Sequence, residues 1–199
     1  IEQGLDLILS TCPHCEDPFS TLGSTGFYLA YHGRDNRMLQ AKLAAGYRAA
    51  APQLVWTASG VSGQSHPNRK IRVVIVSRHM RRHTIGYLNA GIVKHLSRSD
   101  FEVTVARFED QPKDDVAAVI VRTADRVVRL APRITEARQQ LAALNSDVIY
   151  YPDIGMDPVT YFLAFSRLAP VQCTSWGHPD TTGISNLDYY VSNRLAEPV

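Results

Sequence analysis

Between Asn36 and Ser99 the sequence has no aspartate and no glutamate. The same window holds Arg37, Lys42, Arg48, Arg69, Lys70, Arg72, Arg78, Arg81, Arg82, Lys94 and Arg98, so a net charge of +2 hides a one-signed stretch flanked by acids. Such a field draws an oppositely charged partner. Three readings stay open: a phosphorylated small molecule, nucleic acid, or the protein's own acidic remainder folding back on a solvated basic face. Aromatic residues are not interleaved with these bases, which argues against a nucleic-acid groove built on base stacking. Cysteine is scarce as well. Three among 199 residues do not make a disulfide scaffold, and the odd count suits a reducing compartment, so a cytoplasmic location is expected.

Other absences remove whole classes. No apolar run approaches the roughly 20 residues of a membrane span, and no membrane association is expected. Ile1-Glu2-Gln3 does not open a basic region leading into an apolar one, so there is no signal-peptide pattern. With no initiator methionine, the chain is expected to be processed or cut from something longer. There is no GxGxxG after the first strand and no GxxxxGK[ST] anywhere, which disfavours dinucleotide and P-loop sites. No Gly-x-Ser-x-Gly elbow occurs, so the usual hydrolase signal is missing. Cys12-Pro13-His14-Cys15 has no second CxxC to complete a zinc site, and Pro18 would disturb a redox helix starting there, so a structural turn is the better reading.

What is present is centred on Ile71–Gly86. Ile71 to Val76 is a β-branched run apolar on both faces, as a buried strand of a parallel sheet requires. Ser77 ends it, Arg78–His83 makes a polar loop, and Thr84–Leu96 reads as a helix. Strand, charged loop and helix in that order build sites at the carboxyl edge of an open α/β sheet. Strands are predicted at Phe101–Phe108, Val127–Leu130, Val148–Tyr151, Val171–Trp176 and Leu187–Ser192. Helices are predicted at Asp114–Ala124, Ile134–Leu144 and Pro158–Leu168. The alternation predicts an α/β fold with a doubly wound, mostly parallel sheet. Before it, Asp35–Ala51 reads as a helix with Leu39, Leu43 and Tyr47 on one face, while Ile1–Ser10 is too short to assign. Residues 1–62 are therefore expected to form a helical preface, and 63–199 the Rossmann-like unit.

Three loops follow strands and can share one edge: Arg78–His83, Pro152–Asp157 and Gly177–Gly183. Glycines let a backbone approach a ligand closely. Amides with Thr181 and Thr182 could bind phosphate or sugar oxygens, or the loop could be a turn whose polar groups only satisfy its own backbone. His83, at a loop-to-helix junction, has the chemistry of a general base, and equally that of a surface histidine.

Ala169-Pro170-Val171-Gln172, then Gly177-His178-Pro179-Asp180-Thr181-Thr182-Gly183, then Leu187-Asp188-Tyr189-Tyr190, resembles the family 41 glycosyltransferases, the O-linked N-acetylglucosamine transferases and their bacterial relatives. Lys70–Leu88 matches the strand, loop, histidine and helix that open their catalytic region. The resemblance implies a GT-B enzyme, of which residues 63–199 would be the N-terminal, acceptor-side half, with the donor-binding second half missing from this chain. It implies inverting transfer of a sugar from a UDP-sugar, UDP-GlcNAc by analogy, to a protein Ser/Thr hydroxyl, with no cofactor and no metal. An asparagine-directed N-glucosyltransferase of the same family and a non-catalytic α/β binding module are the alternatives. Carried over by motif, His83 and Asp147 are the catalytic candidates. Gly177, His178, Pro179, Thr181, Thr182 and Gly183 are the substrate-binding candidates. Thr84, Tyr87, His178 and Asp180 depart from the pattern of the animal enzymes and bear on the acceptor and the sugar.

Overall fold

The structure, a computed structural model, describes residues 2–11, 14–18, 21, 26–61, 69–195 and 197. The strands are β1 Ile71–Val76, β2 Phe101–Phe108, β3 Arg126–Leu130, β4 Val148–Tyr151, β5 Val171–Ser175 and β6 Tyr189–Val191. The helices are α1 Glu2–Thr11, α2 Arg37–Ala50, α3 Thr84–His95, α4 Asp115–Thr123, α5 Ile134–Ala142 and α6 Pro158–Leu163, with tighter turns at Phe27–His32 and Pro52–Leu54. The strands form one sheet in the order β3-β2-β1-β4-β5-β6. All five neighbouring pairs are parallel. The chain winds outward from β1 to β3, then crosses back to β4 beside β1. The switch point of this α/β sheet therefore lies between β1 and β4, where ligand crevices open at the carboxyl edge.

Both faces of the central strands are covered, which explains their unbroken apolar sequence. Side chains alternate between the faces. Val73, Ile75, Val103 and Val105 pack with Val93 of α3 and Ile120 of α4. Val74, Val76, Ala106, Phe108, Ile149 and Tyr151 pack with α5, α6 and the preface. Ala44, Ala51 and Leu54 belong to that second cluster, so residues 37–58 share the core of the sheet rather than having one of their own. The backbone joins them too. Ser166 Oγ donates to Leu54 O at 2.9 Å, and Thr57 and Arg167 form an isolated parallel bridge. This corrects the helix expected over Pro158–Leu168. It stops at Leu163 because the following residues are claimed by the bridge to 54–58. The unassigned N-terminal stretch is α1, whose Asp6 pairs with Lys42 of α2.

The acid-free window is neutralised largely from outside itself. Arg69 pairs with Asp147, Arg78 with Asp110, Arg82 with Asp115 and Arg98 with Asp125. Each exposed pair contributes at most about 1 kcal/mol, but together they absorb much of the field read from the sequence. Of the CxxC, Cys12 lies outside the described residues. Cys15 is a free cysteine whose backbone N–H donates to Ala50 O at 2.7 Å, which ties this stretch to the end of α2. Among the described residues no helix is long and apolar enough to cross a membrane.

Candidate functional site

The carboxyl edge of the sheet begins at Ser77, which is fully buried. Its Oγ donates to Asp153 Oδ2 at 2.9 Å and accepts from His79 N at 2.8 Å. Arg78 N donates to the same carboxylate oxygen at 3.2 Å. Asp153 comes from the loop after β4 and is 0% exposed. One buried carboxyl therefore fixes the loop after β1 across the switch point. The Arg78 side chain lies over the Phe108 ring at 5.2 Å and pairs with Asp110 and, at 3.5 Å, with Asp157. Asp157 also accepts from Val159 N at 2.8 Å, which caps α6 and seats Pro158 in its first turn.

His83 ends the first loop as the N-cap of α3, its Nδ1 accepting from Ile85 N at 3.2 Å. Its ring stacks on His79 at 4.2 Å and 20°. Burial and then Arg81 lower the His83 pKa. Burial first, then the neighbouring His83, Arg81 and Arg78, push His79 down to about 4. Both rings are therefore neutral at pH 7, and His83, with Nδ1 engaged as an acceptor, carries its proton on Nε2. It presents an N–H donor.

The third loop closes onto the other two. A Cβ on Gly177 would fall 1.9 Å from Pro152 O and 2.5 Å from Ile85 Cδ1, so all three strand-end segments touch at a position where only glycine fits. His178 is 4% exposed and stacks on Phe27 of the preface at 4.8 Å and 19°. Among the described residues neither of its ring nitrogens has a hydrogen-bond partner, and burial lowers its pKa. It borders a cavity of about 10 Å³, lined also by Gly155, Tyr161 and Thr182, room for about one water. Pro179 and Thr181 are exposed. Thr182 Oγ1 accepts from Ile184 N at 3.2 Å, a local turn. Asp180 accepts from Gln40 Nε2 at 2.9 Å and Asn36 Nδ2 at 3.2 Å. Gly183, at φ +66°, abuts the Gln40 carbonyl, where a Cβ would clash at 2.2 Å. The loop is thus mounted on α2. Beneath it, the Tyr150 hydroxyl donates to Asn89 Oδ1 at 3.0 Å and shares a 2.7 Å hydrogen bond with Ser175 Oγ.

The structure brings His83 to the same edge as Gly177, His178, Pro179, Thr181, Thr182 and Gly183. It does not bring Asp147 there. That residue precedes β4 and lies at the amino edge, where it accepts from Arg72 N at 2.8 Å and from Arg69 Nη2 at 2.7 Å. Those bonds hold its pKa down against burial and give it a structural task. The carboxylate at the working edge is Asp153, which sequence reading placed in the second loop without singling out. Asn36, Gln40 and Phe27 were also missed, since nothing local to the preface says that it carries the third loop.

Burial, and then the neighbouring Asp157, push the Asp153 pKa up to about 7. The folded value lies above the unfolded one, so this group's contribution to stability is complete below about pH 4 and is lost as pH rises through about 7. His79 has the opposite sign: its folded value is depressed to about 4, so its contribution is complete above about 6.5 and is lost as pH falls. The two oppose each other in one window. Asp153→Asn keeps an oxygen for Ser77 and Arg78 and removes the titration. The Tm difference, variant minus wild type, is expected to rise steadily from pH 4 to pH 7. A flat difference would show that Asp153 does not titrate there.

No family model matches the chain. Two curated proteins named UDP-glucose:protein N-beta-glucosyltransferase are similar to it, from Actinobacillus pleuropneumoniae serotype 5b (strain L20) and serotype 7 (strain AP76). Each is 43% identical over 44 residues, which is 22% of this chain and 7% of the relative. Among solved structures, a mutant of the Thermobaculum terrenum O-GlcNAc transferase superposes with a TM-score of 0.71 at 22% identity, over 86% of this chain and 33% of that one. The chain thus spans about a third of that structure, and the matched stretch is a small fraction of the curated relatives. The sequence likeness is to proteins named as N-glucosyltransferases, and the likeness to the solved structure is one of fold.

Proposed function

We propose, with these two likenesses as premise, that the chain is the first Rossmann-like half of an inverting glycosyltransferase that moves a sugar from a UDP-sugar to a protein. The observation that carries this reading is the meeting, at Gly177, of the loops after β4 and β5 with the first turn of α3, which sets the His83 cap and the Thr181–Thr182 loop on one edge beside the switch point. In the principal version the donor is UDP-GlcNAc and the acceptor a Ser/Thr hydroxyl. A facing second half holds most of the nucleotide and closes the cleft. The acceptor oxygen forms a bond to the anomeric carbon from the face opposite the diphosphate. The anomeric carbon–oxygen bond breaks, UDP leaves with its electron pair, and the acceptor's hydroxyl proton passes to the departing diphosphate or to solvent.

In this reading His83 is an orienting donor rather than the proton acceptor. In the tautomer described Nε2 already carries a proton and Nδ1 is engaged with Ile85 N, so the ring has no free lone pair for the acceptor's proton, and burial and Arg81 keep it neutral. Its Nε2–H can instead hold the acceptor or a donor oxygen in line, where correct placement counts for much of the rate. The basic groups of this edge and backbone amides offset diphosphate charge without a metal. A second reading, transfer of glucose to asparagine, is favoured by the local 43% identity to the N-glucosyltransferases. The same edge serves both.

Thr181 tests the donor loop. Its side chain is exposed, whereas Thr182 is engaged with Ile184 N. In the protein that includes both halves, Thr181→Val should weaken UDP-sugar use by about tenfold or more with Tm unchanged, the effect of one hydroxyl lost from a closed site. Thr182→Val should cost about 1 kcal/mol of stability through the turn. Unchanged kinetics in Thr181→Val would reduce the loop to a structural turn.

A further inference from the structure

Arg107 of β2 and Arg129 of β3 are register partners in a parallel pair, which places two guanidinium groups side by side on one face of the sheet. Like charges at such a position repel. It is the face of Val103 and Val105, covered further along by Ile120 of α4. At its carboxyl end the first turns of α4 bring only Ala117 and Ala118, and a cavity of about 200 Å³ remains, lined by Arg107, Arg129, Lys113, Ala117, Val121 and Asp114.

The local acid, Asp114, offsets only one of these three charges. It caps α4 through Ala117 N at 2.8 Å and accepts from Arg82 N at 2.7 Å. Among the described residues Arg107, Lys113 and Arg129 make no ion pair. Arg107 is nonetheless held in place. Its Nε donates to Gln111 Oε1 at 3.2 Å and its Nη2 to Pro112 O at 2.9 Å, while Gln111 Nε2 donates to Ser77 O at 2.9 Å. Burial lowers the pKa of its guanidinium; Asp114 opposes this, and Arg129 adds a smaller push downward. A fixed arginine, a second one beside it and a lysine converge on a cavity with a surplus of two positive charges over Asp114.

We propose that Arg107, Lys113 and Arg129 form a binding site for a phosphate-monoester dianion, separate from the edge assigned above to the donor and acceptor. A carboxylate would balance half of the surplus. A dianion balances all of it, and its tetrahedral oxygens suit the forked donors of paired arginines. Through Asp114 and Arg82 the site abuts the loop that ends in His83, so a phosphorylated residue of a bound protein could be held there while another segment of it reaches the loop. The proposal rests on the pocket and its charges and does not require the transferase reading.

The test is phosphate binding by the full-length protein, followed by Tm and by NMR or calorimetry. Inorganic phosphate and a phosphoserine peptide serve as two probes, against sodium chloride at matched ionic strength and the unphosphorylated peptide. Wild type should be stabilised by phosphate beyond chloride, because chloride only screens, whereas a bound dianion stabilises by mass action. Arg129→Gln, at an exposed position, removes the repulsion and should leave the ligand-free Tm equal or higher while weakening phosphate binding by tenfold or more. Arg107→Gln should weaken it similarly. A peptide that binds tenfold more tightly than free phosphate identifies a phosphorylated chain as the source, and equal affinities identify the free ion. No stabilisation beyond chloride, or binding retained in Arg129→Gln, would overturn the proposal. Since the readout is binding, a protein that transfers no sugar can still pass, and one that transfers sugar can fail.

Discussion

Gly177→Ala should lower the stability of the folded protein by about 3 kcal/mol or more. For a chain of this size that corresponds to a Tm lowered by roughly 6–12 °C. Alanine has almost no side chain, so the effect comes from where the methyl would go: 1.9 Å from the Pro152 carbonyl oxygen and 2.5 Å from Ile85 Cδ1. The oxygen belongs to the backbone and cannot rotate away, and Ile85 is fully buried. Relief requires the loops after β4 and β5 to separate. The neighbouring glycine Gly91 provides the contrast. It is on α3 with nothing within 4 Å of an added Cβ, and Gly91→Ala should stabilise, by about 0.5–1 kcal/mol, through helix propensity. Thermal unfolding of both variants checks the pair. A Gly177→Ala protein as stable as wild type would mean that the three loops do not meet there, and the site built on that meeting would go with it.

The second large effect falls on His83. His83→Ala should cost about 1 kcal/mol of stability through the lost helix cap and roughly 10²-fold or more in turnover. His83→Asn separates the two. Asparagine is a good N-cap and can accept from Ile85 N, so Tm should return to near the wild-type value, yet its short amide does not place a donor where the imidazole Nε2 lies. Turnover should stay low. If His83→Asn restores both, the residue is a cap and nothing more. If kcat falls without a change in the acidic limb of its pH profile, the orienting role is favoured over the base, since a base contributes its own pKa to that limb.

The fold was legible because its signal is long and redundant. A β-branched run such as Ile71–Val76, followed by alternating strand and helix lengths, admits few arrangements, and β4 occurs at Val148–Tyr151 as the sequence predicts. The site was legible only in part. Asp147 and Asp153 lie within one short stretch of sequence and look equally placed to act. A four-residue strand lies between them, about 13 Å long at roughly 3.3 Å per residue, and it puts them at opposite edges of the sheet. Adjacency in sequence is a poor guide to adjacency at an edge. The helix before the sheet misled in another way. Apolar spacing selects Leu39, Leu43 and Tyr47, and Tyr47 does pack on the core against Tyr161, Phe162 and Phe165, yet the fully buried positions are Gln40, Ala44, Gly46 and Ala50, and Gln40 is among them because it seats Asp180 and Gly183. A hydrophobic pattern reports burial against an apolar surface and says nothing about a polar loop as the partner. The sugar and the acceptor atom proposed above leave no such trace in these residues.

The account's central claim is UDP-sugar-dependent transfer at the edge that carries His83. It is tested most directly by incubating the full-length protein with a lysate of its own source organism and UDP-GlcNAc or UDP-glucose, then mapping added sugar on protein by mass spectrometry, with His83→Asn in parallel. The account predicts sugar on Ser or Thr from UDP-GlcNAc, dependent on the donor and largely lost in His83→Asn. Glucose on Asn would select the second reading while keeping the site. A folded protein that transfers neither sugar, or one whose transfer is unchanged in His83→Asn, would contradict the claim.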